Sequence, residues 1–282
     1  MRKLLAVSLV AAIALPAFAQ VVYHGSARII VGAGRENEVF LFDAAGNLTG
    51  SYDEIAGART DAWGYRDGAF DGTHVYFGWG GGVARHDADG SNGTLMFGGA
   101  NAPGGNYRAL AYDPTGNSGA GSFWSASFGS DMVEVDLSGN VLTNWPNNGQ
   151  WSLYGLSFDD TDGNLWGHTT GGEVIKIDTS TGLLTGAGWD SGFPSGTAQG
   201  GLSGFSELGG NLAAVMQTVP DLYGVYDTAA GVPGSPGTFV LGPIDMQGQT
   251  GTNGHLGIAV TPEPSSLLLL GLSAVALVRR RR

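Results

Sequence analysis

Short runs of alternating apolar and polar residues fill most of this 282-residue chain, and Gly, Asn or Asp ends nearly every run. An alternation with a period of two residues predicts half-buried β-strands joined by tight turns. One pattern recurs: an apolar strand, a Gly-Asn or Gly-Thr turn, an aromatic-rich strand, a third strand that ends in Asp, and a last strand after Gly. The clearest copy has its strands at Leu156–Asp159, Asn164–His168, Glu173–Asp178 and Leu183–Thr185.

Three further copies follow the same order of strands. One is predicted at Ala69–Asp71, His74–Phe77, Val83–Asp87 and Leu95–Phe97. The next is predicted at Leu110–Asp113, Phe123–Ala126, Val133–Asp136 and Val141–Thr143. The last and loosest is predicted at Phe205–Ser206, Leu212–Val215, Leu222–Asp227 and Phe239–Leu241.

The first copy has only three strands, Arg28–Val31, Val39–Asp43 and Leu48–Thr49, and Leu256–Val260 supplies the missing one. Joining the two chain ends in one sheet closes a ring and protects its edges. The third-strand aspartates are 42 to 49 residues apart, which is typical of propeller blades. We therefore expect an all-β body at residues 20–260, a β-propeller of five four-stranded blades. A β-sandwich or a solenoid would show similar alternation.

The N-terminus has the pattern of a secretory signal peptide. Arg2 and Lys3 precede the apolar run Leu4–Leu15, and Ala17-Phe18-Ala19 forms a small-x-small cleavage site. We expect residues 1–19 to be removed. A permanent N-terminal anchor is the weaker alternative, because a spanning helix needs about 20 apolar residues.

The C-terminus combines three elements in order: Pro262-Glu263-Pro264, the apolar run Leu267–Val278, and the cluster Arg279, Arg280, Arg281 and Arg282. Proline interrupts a helix, the apolar run predicts a short transmembrane helix, and the arginines remain on the cytoplasmic side. This tail, residues 261–282, closely resembles the PEP-CTERM sorting signal of Gram-negative bacteria that produce exopolysaccharide.

The resemblance implies that an exosortase-type protease cuts near Pro262-Glu263-Pro264 and moves the body to the cell surface or the medium. The resemblance implies a cellular location for the protein and no particular activity. A plain anchor that is never cut fits the same tail. Both alternatives place the body outside the cytoplasm, as an inner-membrane-anchored precursor.

Charge narrows the range of partners. Seven of the 13 basic residues but 24 of the 25 acidic ones lie in the body, which therefore carries a net charge of about −17. Such a surface repels phosphate backbones, so we expect no nucleic-acid partner, whereas cations or neutral glycans are compatible. The chain has no cysteine, which excludes disulfides and Cys-ligated metals.

Local motifs indicate turns more than catalysis. The third-strand residues Asp43, Asp87, Asp136, Asp178 and Asp227 run into glycine-containing turns that Asp side chains cap. Asp87–Ser91 and Asp160–Asn164 space acids as calcium loops do, but Gly98 and Gly171 stand at the twelfth positions, which favours hairpin turns. No metal or cofactor is therefore expected, with calcium as a weak alternative.

A cluster of aromatic and basic residues recurs before three first strands and is the candidate ligand site. Because first strands line the axis of a propeller, these side chains are predicted to form a rim that stacks on sugar rings or binds a carboxylate. Packing between blades is the alternative and the favoured one. The rim consists of Tyr65, Arg66, Trp79, Tyr107, Arg108, Trp151 and Tyr154.

Three functions remain open on the sequence alone. The preferred one is a non-catalytic surface propeller that binds an extracellular ligand such as a polysaccharide. The second is a propeller lyase or hydrolase acting on extracellular polysaccharide, since propellers can assemble catalytic residues from several blades. The third is purely structural packing in an extracellular matrix.

Overall fold

A computed structural model describes residues 27–33, 37–193, 198–217 and 220–262. Within these residues, twenty strands form five antiparallel four-stranded sheets, which are the five blades of the predicted β-propeller. The predicted signal peptide, the apolar run Leu267–Val278 and the four arginines lie outside the described residues. Within the residues that are described, no helix is long and apolar enough to cross a membrane.

Each blade begins with an inner strand and continues outwards. Blade 1 contains β1 (Ala27–Ala33), β2 (Glu38–Phe42) and β3 (Leu48–Asp53). Blade 2 contains β4 (Asp67–Phe70), β5 (His74–Trp79), β6 (Gly82–Asp87) and β7 (Thr94–Gly98). Blade 3 contains β8 (Ala109–Asp113), β9 (Ser122–Ala126), β10 (Met132–Asp136) and β11 (Val141–Trp145). Blade 4 contains β12 (Leu153–Asp159), β13 (Asn164–Thr169), β14 (Glu173–Asp178) and β15 (Leu183–Asp190).

Blade 5 contains β16 (Ala198–Ser203), β17 (Leu212–Gln217), β18 (Leu222–Tyr226) and β19 (Phe239–Asp245), and β20 (His255–Pro262) completes blade 1. Helical structure in the described part is limited to single turns: Ala58–Thr60, Pro103–Gly105, Gly116–Gly119, Thr228–Ala230 and Gln247–Thr250.

The ring closes as predicted. Strand β20 is the innermost strand of blade 1 and pairs antiparallel with β1 from Ala33 opposite His255 to Ala27 opposite Pro262. The last strand of the body therefore extends into the first residue of the Pro-Glu-Pro motif.

One predicted strand is misplaced. Phe205–Ser206 belongs to a turn, and the inner strand of blade 5 is β16, Ala198–Ser203. In the sequence, Gly200 and Gly201 suggest a loop. They are needed in β16 because the inner strands lie very close to one another around the axis. A Cβ at Gly200 would lie 2.9 Å from the Leu256 carbonyl oxygen.

The hydrophobic core is divided among the blade interfaces. Five clusters of buried residues each contain side chains from two adjacent blades. Alternation along β1 explains how, because Ile29 and Val31 pack towards blade 5 whereas Ile30 packs towards blade 2. Both faces of each inner sheet region are thus buried, and the blades hold one another in place.

Candidate functional site

Inner strands β4, β8, β12, β16 and β20 surround the central channel. We call the face at which they begin the top face, and the face at which they end the bottom face. Arg66 and Arg108 lie on the top face, immediately before β4 and β8, whereas Asp71, Asp113 and Asp159 lie on the bottom face.

Most aromatic members of the predicted rim are buried between blades. Tyr65 and Tyr107 are 0% exposed, and Trp79 and Trp151 are also buried. Tyr65 stacks on Phe77 at 4.8 Å, and its hydroxyl lies 2.7 Å from His86 Nε2. In this structure the four rings have little surface for a ligand, and their contacts are those of packing.

Arg66 is buried with a carboxylate from its own connection. Its Nη2 donates to Asp61 Oδ1 at 2.6 Å, and its Nε donates to the Gly64 carbonyl oxygen at 3.1 Å. Burial lowers the pKa of Arg66, while Asp61 raises it. Both residues belong to the connection from blade 1 to blade 2, so the pair holds the two parts of that connection together.

Arg108 lies over two aromatic rings that contact each other, with their centroids 5.2 Å apart. Its guanidinium carbon is 3.8 Å from the Phe128 ring centroid and 5.0 Å from that of Tyr154. Burial, with the nearby Arg66 as a second cause, lowers the pKa of Arg108 to about 10, so the guanidinium is charged at neutral pH. Among the described residues it has no ion-pair partner. Arg66, Arg108 and Tyr154 are the rim residues that the fold brings together.

Asp67 closes the channel below this cluster. Its Oδ2 accepts the backbone N–H groups of Leu110 and Leu156 at 2.8 Å each, and its Oδ1 accepts that of Leu202 at 3.0 Å. The side chain is fully buried. Burial raises the pKa of Asp67, whereas the amide donors lower it. One carboxylate from blade 2 therefore ties together the inner strands of blades 3, 4 and 5.

Sequence reasoning missed Asp67, although a signal is present. Tyr65-Arg66-Asp67 aligns with Tyr107-Arg108-Ala109, so the acid stands where the next copy has a small apolar residue. Glycine on β16, the inner strand of blade 5, makes room for it, since a Cβ at Gly201 would lie 2.4 Å from Asp67 Oδ1.

Below Asp67 the channel widens into a bottom cavity of about 210 Å³. Blades 2, 3, 4 and 5 line it with aromatic, hydroxyl and carboxyl groups. The polar and aromatic side chains are Phe70, Asp71, Tyr112, Ser157, Phe158, Asp160, Ser203, Ser206 and Glu207.

The carboxyls of the bottom cavity differ in their environment. Asp71 accepts hydrogen bonds from the Tyr76 hydroxyl at 2.6 Å and from the backbone N–H of Thr73, so it is fixed as a turn cap, and these bonds lower its pKa against the effect of burial. Asp160 is exposed at the mouth. Glu207 keeps part of its surface exposed, and burial raises its pKa to about 7, with Asp160 adding to the rise.

Turn capping is confirmed for four of the five third-strand aspartates. Asp43, Asp136, Asp178 and Asp227 each accept the backbone N–H of the residue two positions on. Asp87 instead accepts Asn92 Nδ2 at 2.7 Å.

The two calcium-like segments also form turns. Asp89 accepts the backbone N–H of Ser91, and Asp162 accepts both Lys176 Nζ, at 2.6 Å, and the backbone N–H of Asn164. Over the described ranges, no three His, Asp or Glu side chains form a group that could hold a metal ion.

Solved structures with a similar arrangement are distant. A nidogen/laminin complex structure aligns at 14% identity over 82% of this chain and 84% of that chain, with a TM-score of 0.47. A Bacteroides thetaiotaomicron protein of unknown function aligns at 12% identity over 79% and 66%, with a TM-score of 0.48. Virginiamycin B lyase from Staphylococcus aureus aligns at 14% identity over 74% and 64%, with a TM-score of 0.39. The assignment of the propeller rests on strand pairing in this chain.

No curated protein matches the chain. Its last residues, 260–282, match the family described as the PEP-CTERM protein-sorting motif. This motif implies export and a membrane-anchored precursor in a Gram-negative bacterium, and it is a signal that an exosortase recognises. The chain is thus a five-bladed propeller body that carries a PEP-CTERM sorting motif.

Proposed function

We propose that this protein is an exported, non-catalytic propeller that binds a neutral sugar residue of an extracellular polysaccharide in its bottom cavity. The observation that carries the proposal is the cavity itself, in which rings, hydroxyls and carboxyls from four blades face one space of about 210 Å³. Sugar sites combine these groups, because a ring face covers the apolar side of a pyranose while carboxyl and hydroxyl oxygens bind its hydroxyls.

Charge supports a neutral ligand. Asp71, Asp160 and Glu207 border the bottom cavity, and the body as a whole is strongly acidic. An anionic sugar would approach against this potential, whereas a neutral one would not. After separation from the membrane segment the protein would act at the cell surface or in the medium.

A glycan screen with the released protein tests the proposal. Ser206 is exposed at the cavity mouth, so Ser206→Trp should fill the opening and abolish binding without disturbing the core. Thr170→Trp is the matched control, because Thr170 is also exposed and lies on the top face, directly after β13. Retained binding in the Ser206→Trp variant, or no neutral glycan bound by the parent, would refute the proposal.

One observation favours the enzymatic alternative. Glu207, with its raised pKa of about 7, and Asp160 line the same cavity, and two carboxyls in different environments are the usual acid and base of polysaccharide cleavage. New chain ends released from a bound polysaccharide, and lost in Glu207→Gln, would establish this alternative instead.

A further inference from the structure

The bottom cavity is lined by four blades, and the fifth side belongs to the strand that leads into the sorting tail. Strand β20 ends at Pro262, paired with Ala27 of β1. It lies against both flanking inner strands: a Cβ at Gly68 would lie 2.9 Å from the Ile258 carbonyl oxygen, and one at Gly204 would lie 2.5 Å from Val260 Cγ2. The chain therefore leaves the body at the bottom face, beside the cavity mouth.

The connection from this point to the membrane segment is short. Glu263-Pro264-Ser265-Ser266 separates Pro262 from Leu267, where the apolar run begins. Five residue steps span about 17 Å when fully extended. The headgroup layer on each side of a bilayer takes about 5 to 7 Å of this length. The bottom face is consequently held close to the lipid.

The position of the attachment limits how far the body can turn away. Because neighbouring strands are about 4.8 Å apart, the outer strand of a blade lies about 14 Å farther from the axis than its inner strand. The tail leaves from an inner strand, so the blades overhang the attachment on every side. The body is tethered near its axis by a short segment. If it tilts, the outer edge of a blade therefore touches the membrane before the bottom face becomes exposed.

We infer that the bottom mouth faces the membrane in the anchored precursor, so that the cavity becomes accessible only when the body is separated from its membrane segment. The claim that sorting controls ligand access rests on the proposed function. The claim about orientation rests only on the position of β20 and the length of the tail. Export would then be coupled to activation: the protein binds its glycan after release and not while it is held at the inner membrane.

Thiol labelling of the full-length chain in liposomes tests the orientation, because the chain has no cysteine of its own. Ser206→Cys and Asp160→Cys place a thiol at the bottom mouth, and Thr170→Cys places one on the top face after β13; all three positions are exposed. A bulky polymer-linked maleimide should label the two bottom thiols about tenfold more slowly than the top one. This ratio is expected if the bottom mouth is accessible to the reagent for about a tenth of the time.

A lengthened tail provides the matched control. Insertion of a long Gly-Ser linker between Ser265 and Ser266 keeps the protein anchored, and it should raise labelling at the bottom positions to the rate at Thr170→Cys. Equal rates at top and bottom with the native tail would overturn the inference, as would slow bottom labelling that persists with the linker.

The two proposals fail separately. Labelling needs no ligand, so a released body that binds no glycan would refute the sugar site and leave the orientation standing. Rapid labelling of the bottom thiols in the anchored chain would refute the orientation even if the released body binds glycan.

Discussion

The two ends of the channel are built from the same repeat, yet the top end is filled and the bottom end is open. On the top face the connections join one blade to the next, and they carry Tyr65, Tyr107 and Trp151 into the blade interfaces. On the bottom face short Asp-capped turns join the first and second strands of blades 2 and 4, as at Asp71 to Thr73 and Asp159 to Thr161. The longer connections 114–121 and 204–211 join these strands in blades 3 and 5. The aromatic side chains that the top connections place between the blades, and not the length of the connections, therefore distinguish the filled end of the channel from the open end.

The same difference separates the residues that stabilise the ring from those of the proposed ligand site. Buried charges and aromatic rings at the top hold blades together, whereas the exposed oxygens at the bottom have capacity left for a ligand. Asp67 is the boundary between the two regions, because its carboxylate closes the channel above the cavity.

The largest loss of folding stability is expected from a substitution of Asp67. Asp67→Ala leaves three buried amide donors without an acceptor, each costing about 1–3 kcal/mol, which approaches the whole stability of a domain. We expect this variant not to fold, as seen by circular dichroism. Asp53→Ala is the control, because the Asp53–Arg59 pair is exposed and worth less than about 1 kcal/mol. If Asp67→Ala melts near the parent temperature, Asp67 does not hold the ring.

Strand positions and ring closure could be predicted from the sequence because alternation, turn residues and the Asp spacing all indicate the same sheets. The inner strand of blade 5 could not, since close packing at the axis replaces its apolar pattern with Gly200 and Gly201. The composition of the site was not predictable either. A residue such as Tyr65 looks the same in sequence whether it faces a ligand or a neighbouring blade, whereas Phe158 and Ser206 meet only when blades 4 and 5 are placed.

A pH dependence of intermediate size is expected from Glu54 on the top face. This carboxyl is 1% exposed, and its Oε2 has no hydrogen-bond partner, so burial raises its pKa from 4.5 to about 8. The folded protein then holds the proton more tightly than the unfolded chain does. Its contribution to stability is complete below pH 4.5 and is lost as the pH rises to about 8.

Urea unfolding at a series of pH values measures this dependence. Between those limits the parent should lose about 1.4 kcal/mol per pH unit relative to Glu54→Gln. Glu207→Gln at the bottom face is the comparison, and its window should end near pH 7 because the raised pKa of Glu207 is about 7. Parallel stability curves for the parent and Glu54→Gln would show that Glu54 ionises normally.

The smallest losses of folding stability are expected from substitutions of the two rim arginines, Arg66 and Arg108. The two losses should differ in size. Arg66→Ala removes a 2.6 Å charged hydrogen bond to Asp61, so we expect a loss of about 2 kcal/mol in unfolding free energy. Arg108→Ala removes only stacking on Phe128 and Tyr154, worth less than about 1 kcal/mol, and leaves no described carboxylate unpaired. Thermal melting of both variants and of the double variant measures the difference.

If Arg108 contributes to a ligand site at the top, Arg108→Ala should instead change the binding of small carboxylates while stability stays nearly constant. Equal losses for the two single variants would mean that Arg108 is as much a structural residue as Arg66.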